Sequence, residues 1–582
     1  MTKNHLYAQP KESGLILNKW DVLILTVFFG ILAALVWGTQ QMKVPYELGD
    51  LLPISLDPKN LPQYAIRTIL RMAIALAFSL LFTFTIGTLA AKSKKAERII
   101  IPFIDIMQSV PILGFLSISI IPFMVLFPGS LLGPECAAIF AIFTSQVWNM
   151  ALCFYQSLRT LPNDLLEATH MLQLTQWQRF WRLEVPYAFP SLLWNIMMSL
   201  SAGWFFVVAS EAFSVASHTI TLPGIGSYIW IATENSNYQA IFYAILCMFV
   251  VIILYDQLIF RPLVTWSEKF KMEPNPEIES EGTWFLNLLT KTQFIKLSAK
   301  LWHHFKEYLI NPPQYQLTKD PLPPKVKKLL SFSLQWFITI ALGVILFISI
   351  FLAARFIFKE LLFQEVLMVF YFGLITTLKV TILIVLASLI WVPIGVWIGL
   401  SPRVASFVQP VAQILAAFPA NLMYPLLFMF ITQYHLNVEI WTSPLMILGT
   451  QWYILFNVIA GSRALPMEIR LAVENYGVKG WLKWRKFILP GIFPYFVTGA
   501  MTAAGGCWNA SIIADVVSWG GQTLHATGLG GYITQYFTTG DFARVALGIG
   551  VMCLYVTIIN RLLWQKLYNL SETRYSVSAQ YA

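Results

Sequence analysis

Apolar runs about as long as a membrane crossing alternate with short polar stretches along the 582 residues. A helix needs roughly 20 mostly apolar residues to span a bilayer. The runs "VLILTVFFGILAALVWG" (22–38) and "LLSFSLQWFITIALGVILFISIFLAA" (329–354) approach or exceed that length. About twelve spans are expected, near 21–38, 64–91, 101–127, 135–158, 189–216 and 238–262, then 329–357, 366–400, 404–432, 438–461, 493–518 and 541–565. Strict alternation in segments of about ten, the mark of a transmembrane barrel, is absent. The pattern predicts an all-α integral membrane protein.

The spans form two sets, as subtraction shows. Pro162 and Pro466 are 304 apart, as are Pro186 and Pro490, Pro190 and Pro494, Trp204 and Trp508, Gly224 and Gly528, and Tyr228 and Tyr532. Earlier in each half the offset is 308, as for Gly87 and Gly395, Pro102 and Pro410, and Pro111 and Pro419. A four-residue insertion or deletion (308 − 304) between the third and fifth spans reconciles the two. Six spans per half restore the same orientation, so this is a parallel internal repeat. The expected organisation is a first six-helix unit over 1–265 (core 60–262), a linker over 266–328, and a second six-helix unit over 329–582 (core 366–565). In the linker, Phe294, Leu297, Leu301, Phe305 and Tyr308 recur at helical spacing, with Lys291, Lys296, Lys300 and Lys306 elsewhere on the wheel. That suits an amphipathic helix on the membrane surface or packed on the chain's own loops.

Composition supports this class: 57% of residues are hydrophobic and 12% charged, against about 25% charged in ordinary domains. The net charge of +10 does not point to nucleic acid, because basic residues gather in the cytoplasmic loops of membrane proteins. The loop "KSKKAER" (92–98) is basic, as are the stretches holding Arg159, Arg179 and Arg182, and Arg463, Arg470, Lys479, Lys483, Arg485 and Lys486. Loops on the other side, such as "FPGSLLGPE" and "ATENSNYQ", lack basic residues. Both termini and the linker are therefore expected in the cytoplasm. Lys3, Lys11 and Lys19 precede the first run without a small-residue cleavage site, so an uncleaved first span is expected.

Candidate chemistry is sparse. The five cysteines and seven histidines show no metal or redox spacing. No G-x-x-x-x-G-K-[ST] loop occurs to cradle phosphates. No Ser–His or paired-carboxylate arrangement is visible, and the span centres look almost free of ionisable groups. No catalytic, cofactor or metal site is expected in this chain.

The polar loop "LPNDLLEATHMLQLTQWQRFWRLEVP" (161–186) has a counterpart in "LPMEIRLAVENYGVKGWLKWRKFILP" (465–490). Both resemble the cytoplasmic signature of ATP-binding-cassette importer permeases: E-A-A, three residues, G, nine residues, I-x-L-P. The first copy places Glu167, Ala168, Thr169, Gln173, Leu183, Val185 and Pro186 on that pattern. The second places Leu471, Ala472, Val473, Gly477, Phe487, Leu489 and Pro490. The first keeps the acid and loses the glycine; the second does the reverse. "PFIDIMQSVPILGFL" (102–116), "GWFFVVASEAF" with "GIGSYI", and "CWNASIIADVV" with "GLGGYI" resemble the nitrate, sulfonate and taurine branch of the same family. The resemblance implies two fused permease units that form a translocation pathway in a bacterial inner membrane. It implies two separate ATPase subunits that bind ATP and Mg beneath the two loops, and a substrate-binding protein outside. The substrate would be a small anion such as nitrate, a sulfonate or bicarbonate. A secondary transporter with two parallel six-span halves is the alternative.

A left-handed turn costs a non-glycine residue roughly 1–2 kcal/mol, so Gln173 is expected to turn differently from Gly477. Glu211 and Asp515 align at the 304 offset, near the outer ends of their spans. Acids there serve a gate or binding-protein contact, or are hydrogen-bonded or solvated structural groups. Gln108, Gln413, Trp204, Trp508 and Asn509 are candidates to line the pathway, with helix packing as the plain alternative.

Overall fold

The computed structural model describes residues 19–47, 52–109, 112–215, 218–270, 361–520 and 522–575, with scattered positions between 285 and 359. Among them, seven helices are long and apolar enough to cross a membrane, or nine if each of two bent pairs is one span. The seven are Pro58–Lys92, Leu132–Arg159, Gln176–Glu211, Tyr238–Ser267, Phe363–Leu400, Gly480–Ala514 and Phe542–Ser571. Helices Arg403–Ala417 and Ala420–Gln433 meet at 75°. Between them Phe418 is extended (φ −70°, ψ 126°), the conformation a following proline favours. Helices Val438–Leu448 and Gln451–Arg463 meet at 45°. The expected span 329–357 lies mostly outside the described residues.

The repeat holds element by element at the offset of 304. Helix Asn163–Met171 answers to Met467–Asn475, and the five-residue π-helical turn Phe180–Glu184 to Trp484–Ile488. The fifth and eleventh spans end earlier than expected, at Glu211 and Ala514, because two-stranded hairpins follow. Strand β1 (Ala212–Val215) pairs antiparallel with β2 (His218–Thr221), and β3 (Val516–Trp519) with β4 (Gln522–His525). These segments are rich in Val, Thr and aromatic residues, which favour strands.

The chain divides into two compact units. One comprises 1–40, 161–193 and 254–318. Within it, Arg182 pairs with Glu307 at 2.7 Å, and Gln178 Nε2 donates to Asn311 Oδ1 at 2.8 Å. The described linker residues thus bind the first polar loop. Phe294, Leu297, Leu301 and Tyr308 lie outside the described residues, so the rest of the expected amphipathic face does too. The second unit comprises 41–160, 194–253 and 319–582. Its helices approach closely where one presents a small residue, as in many membrane bundles. Gly395 faces Val458, Gly399 faces Ser462, and Gly499 lies on the Tyr453 carbonyl.

Candidate functional site

Within each polar loop the chain makes one short helix, a tight turn and a second short helix. Pro162 and Pro466 sit just before the first helix, as its caps. That helix closes alike in both copies. Leu172 N–H donates to the Ala168 carbonyl and Leu174 N–H to that of Thr169; Tyr476 donates to Ala472 and Val478 to Val473. Such closure needs a left-handed residue after the helix. Gly477 supplies it at φ 64°, and Gln173 adopts φ 51°. Gln173 therefore does not turn differently: the helix-closing hydrogen bonds outweigh its side-chain strain. Glu167, Ala168, Leu471 and Ala472 are exposed, Thr169 is buried, and Val473, Pro186 and Pro490 are half-buried. Around them stand exposed apolar side chains: Met171 (85%) and Leu172 (70%) in one loop, Tyr476 (86%) and Trp481 (71%) in the other.

A second constellation lies where the fifth and eleventh spans meet their hairpins. Arg71, on helix Pro58–Lys92, is fully buried. Its Nε and one Nη donate to both Glu135 oxygens at 2.6 and 2.7 Å. Another Nη donates to Glu211 at 2.7 Å, and the Pro223 carbonyl accepts at 3.0 Å. Glu211 also accepts from Thr68 Oγ1 and Gly226 N–H, both at 2.6 Å. Gly226 must be glycine here, since a Cβ would collide with the Val208 carbonyl. Bidentate charged hydrogen bonds of this kind are strong. The spans thus bury ionisable groups toward their hairpin ends, and of the two structural readings of Glu211 it is the hydrogen-bonded one that matches, since the side chain is enclosed rather than solvated.

The second half repeats the cluster with altered chemistry. Lys379 stands for Arg71 (71 + 308), Glu439 for Glu135 and Asp515 for Glu211 (both + 304), Thr376 for Thr68 and Thr527 for Pro223. Lys379 Nζ lies 3.2 Å from Glu439, 3.6 Å from Asp515 and 2.8 Å from the Thr527 carbonyl. Asp515 is fully buried; Glu439 is 42% exposed. Sequence reasoning missed Arg71, Glu135, Lys379 and Glu439, although the repeat offsets pair them. None of these cations is a free anion site, because each already faces carboxylates.

The other candidates scatter. Gln108 Nε2 donates to Asn149 at 2.9 Å. Asn509 Oδ1 accepts from Ile112 N–H at 2.8 Å and so ties the two repeats together. Trp204 and Trp508 are buried, and Gln413 is half-buried. None of these lines the small cavity, with room for about 50 Å³, that lies between the repeats. Its walls are chain neighbours of the two tryptophans, Ala202, Phe205, Phe206, Gly506 and Ala510, with Tyr453 opposite. The Tyr453 hydroxyl donates to the Met198 carbonyl at 3.2 Å. No charged side chain lines this cavity. Among the described residues no cluster of His, Cys, Asp and Glu could hold a metal ion.

Comparison with known proteins matches the chain twice, over residues 83–261 and 391–568, to the family described as binding-protein-dependent transport system inner membrane component. The chain is 24% identical over 220 residues to a nitrate import permease protein of Synechocystis sp., covering 36% of this chain and 75% of that protein. It is 21% identical over 212 residues to a bicarbonate transport system permease protein of Synechococcus elongatus, covering 36% and 70%. It is 26% identical over 205 residues to a trimethylamine N-oxide transport system permease protein of Pelagibacter ubique, covering 35% and 26%.

Proposed function

Because the chain belongs to the family of binding-protein-dependent transport system inner membrane components, we propose that it is the membrane-spanning subunit of an ATP-driven importer, with both permease units in one polypeptide. It is a transport subunit rather than an enzyme. In this reading two ATP-binding-cassette subunits, carrying ATP and Mg, dock on the two polar loops. Both termini lie on that cytoplasmic side of a bacterial inner membrane. A substrate-binding protein docks on the opposite face and delivers a small anion such as nitrate, a sulfonate or bicarbonate. The nitrate and bicarbonate permeases among the relatives support that class.

The observation that carries the docking is the exposure of Met171, Leu172, Tyr476 and Trp481 on two loops of the same backbone shape. Exposed apolar patches rimmed by charge mark protein contacts. A rigid helix held at both ends by the spans can pass a push from below to the pathway above. Cysteines placed at Ala168 and Ala472 should be shielded from a water-soluble thiol reagent once the ATPase is bound, and the chain alone should hydrolyse no ATP. Equal labelling with and without the ATPase would remove the loops from this role.

A further inference from the structure

Resting on the importer reading, we infer that the two charge clusters are unequal latches. The first is a fixed strut. The second releases, so that the hairpin segment of the second half moves when the pathway opens while its counterpart stays in place.

In each half, the segment after the fifth or eleventh span is a hairpin, a glycine turn and a helix, Ile225–Glu234 or Leu529–Thr539. Each segment is held to the helix Pro58–Lys92 or Phe363–Leu400 through its cluster. In the first half the hold is closed to water. Arg71, Glu135 and Glu211 have no exposed side-chain surface. Ile225 N–H adds a bond to Thr68 at 3.1 Å. Separating these groups would strand buried charges, which is strongly unfavourable.

The second half keeps the layout, including the bond from Leu529 N–H to Thr376 at 3.0 Å, and weakens the contacts between cation and carboxylates. Lysine replaces arginine, so a compact, strongly hydrated charge stands where a planar fork could bind two carboxylates. Aspartate replaces glutamate and is one methylene shorter. Asp515 accepts from Gly531 N–H, one residue beyond the counterpart of Gly226, at a longer 3.4 Å. Glu439 takes two bonds from Thr527, N–H at 2.7 Å and Oγ1 at 2.6 Å, and Thr527 belongs to the segment itself. With Glu439 and Lys379 already reached by solvent, water can replace their bonds as the segment leaves. An exposed ion pair is worth little for the same reason.

Two readouts test the latch. In the isolated chain, amide exchange over 516–539 should be at least roughly tenfold faster than over 212–234, as local opening energies differ. Lys379→Arg should narrow the gap, and Arg71→Lys should loosen the first segment. In the reconstituted importer, spin labels on a cysteine-free background report motion at the exposed, equivalent pairs Gln63 with Glu234 and Tyr371 with Thr538. Trapping with vanadate should shift the second pair by roughly 5 Å and leave the first unchanged. Equal exchange in both segments, equal shifts, or no response to Lys379→Arg overturns the proposal. Should Arg71→Lys fail to fold, Lys379→Arg alone decides. Failure to assemble with the ATPase would refute the importer reading and leave the exchange comparison standing.

Discussion

Replacing Arg71 by methionine probes the buried cluster most directly. Methionine fills much of the same volume without charge. The substitution removes four hydrogen bonds, two to Glu135, one to Glu211 and one to the Pro223 carbonyl. Glu211 would keep Thr68 and Gly226. Among the described residues Glu135 would keep Arg67 alone, whose Nη2 lies 3.8 Å away. Breaking a buried pair by removing one partner costs about 3–5 kcal/mol. That is a large share of the 5–15 kcal/mol of an ordinary fold. Lys379→Met should cost less, about 1–3 kcal/mol, because Glu439 keeps both Thr527 bonds and is partly hydrated, leaving only Asp515 stranded. Thermal unfolding in detergent, followed by size-exclusion chromatography, should rank the midpoints wild type, Lys379→Met, then Arg71→Met. Adding Glu135→Gln and Glu211→Gln to Arg71→Met removes the stranded charges and should recover part of the loss. An Arg71→Met midpoint equal to wild type, or a triple variant below the single one, would refute the reasoning.

The loop turns make a second test. Gln173→Gly should tighten ATPase binding by relieving a left-handed residue, and Gly477→Val should weaken it by roughly 1–2 kcal/mol, both read as dissociation constants. No atom lies within 4 Å of a Cβ built at Gly477, so a loss there reports backbone conformation and not a clash. The Arg182–Glu307 pair is half-exposed on both sides, so Glu307→Lys should change stability by less than about 1 kcal/mol. It should nonetheless free the linker, seen as faster proteolysis around 300–311; the charge-swapped pair Arg182→Glu with Glu307→Lys should reverse that.

Much was written in the chain itself. The length of the apolar runs fixed membrane-spanning helices, because a buried backbone must satisfy its own hydrogen bonds in lipid. The constant offset between Pro162 and Pro466, or Trp204 and Trp508, fixed the duplication, and the paired polar loops marked the places a partner could reach. The offset also paired Arg71 with Lys379 and Glu135 with Glu439, yet nothing local distinguishes a buried arginine from one at a span's edge. Only tertiary structure brings Glu135 and Glu211, 76 residues apart (211 − 135), onto one guanidinium. The hairpins after Glu211 and Asp515 were hidden for a similar reason, since a short run of Val, Thr and aromatic residues reads equally as the end of a buried helix. Gln173 shows the limit most clearly. Its intrinsic preference argued against the turn it makes, and the two carbonyls left open at the end of the preceding helix decided otherwise, because closing them stabilises more than the strained side chain costs.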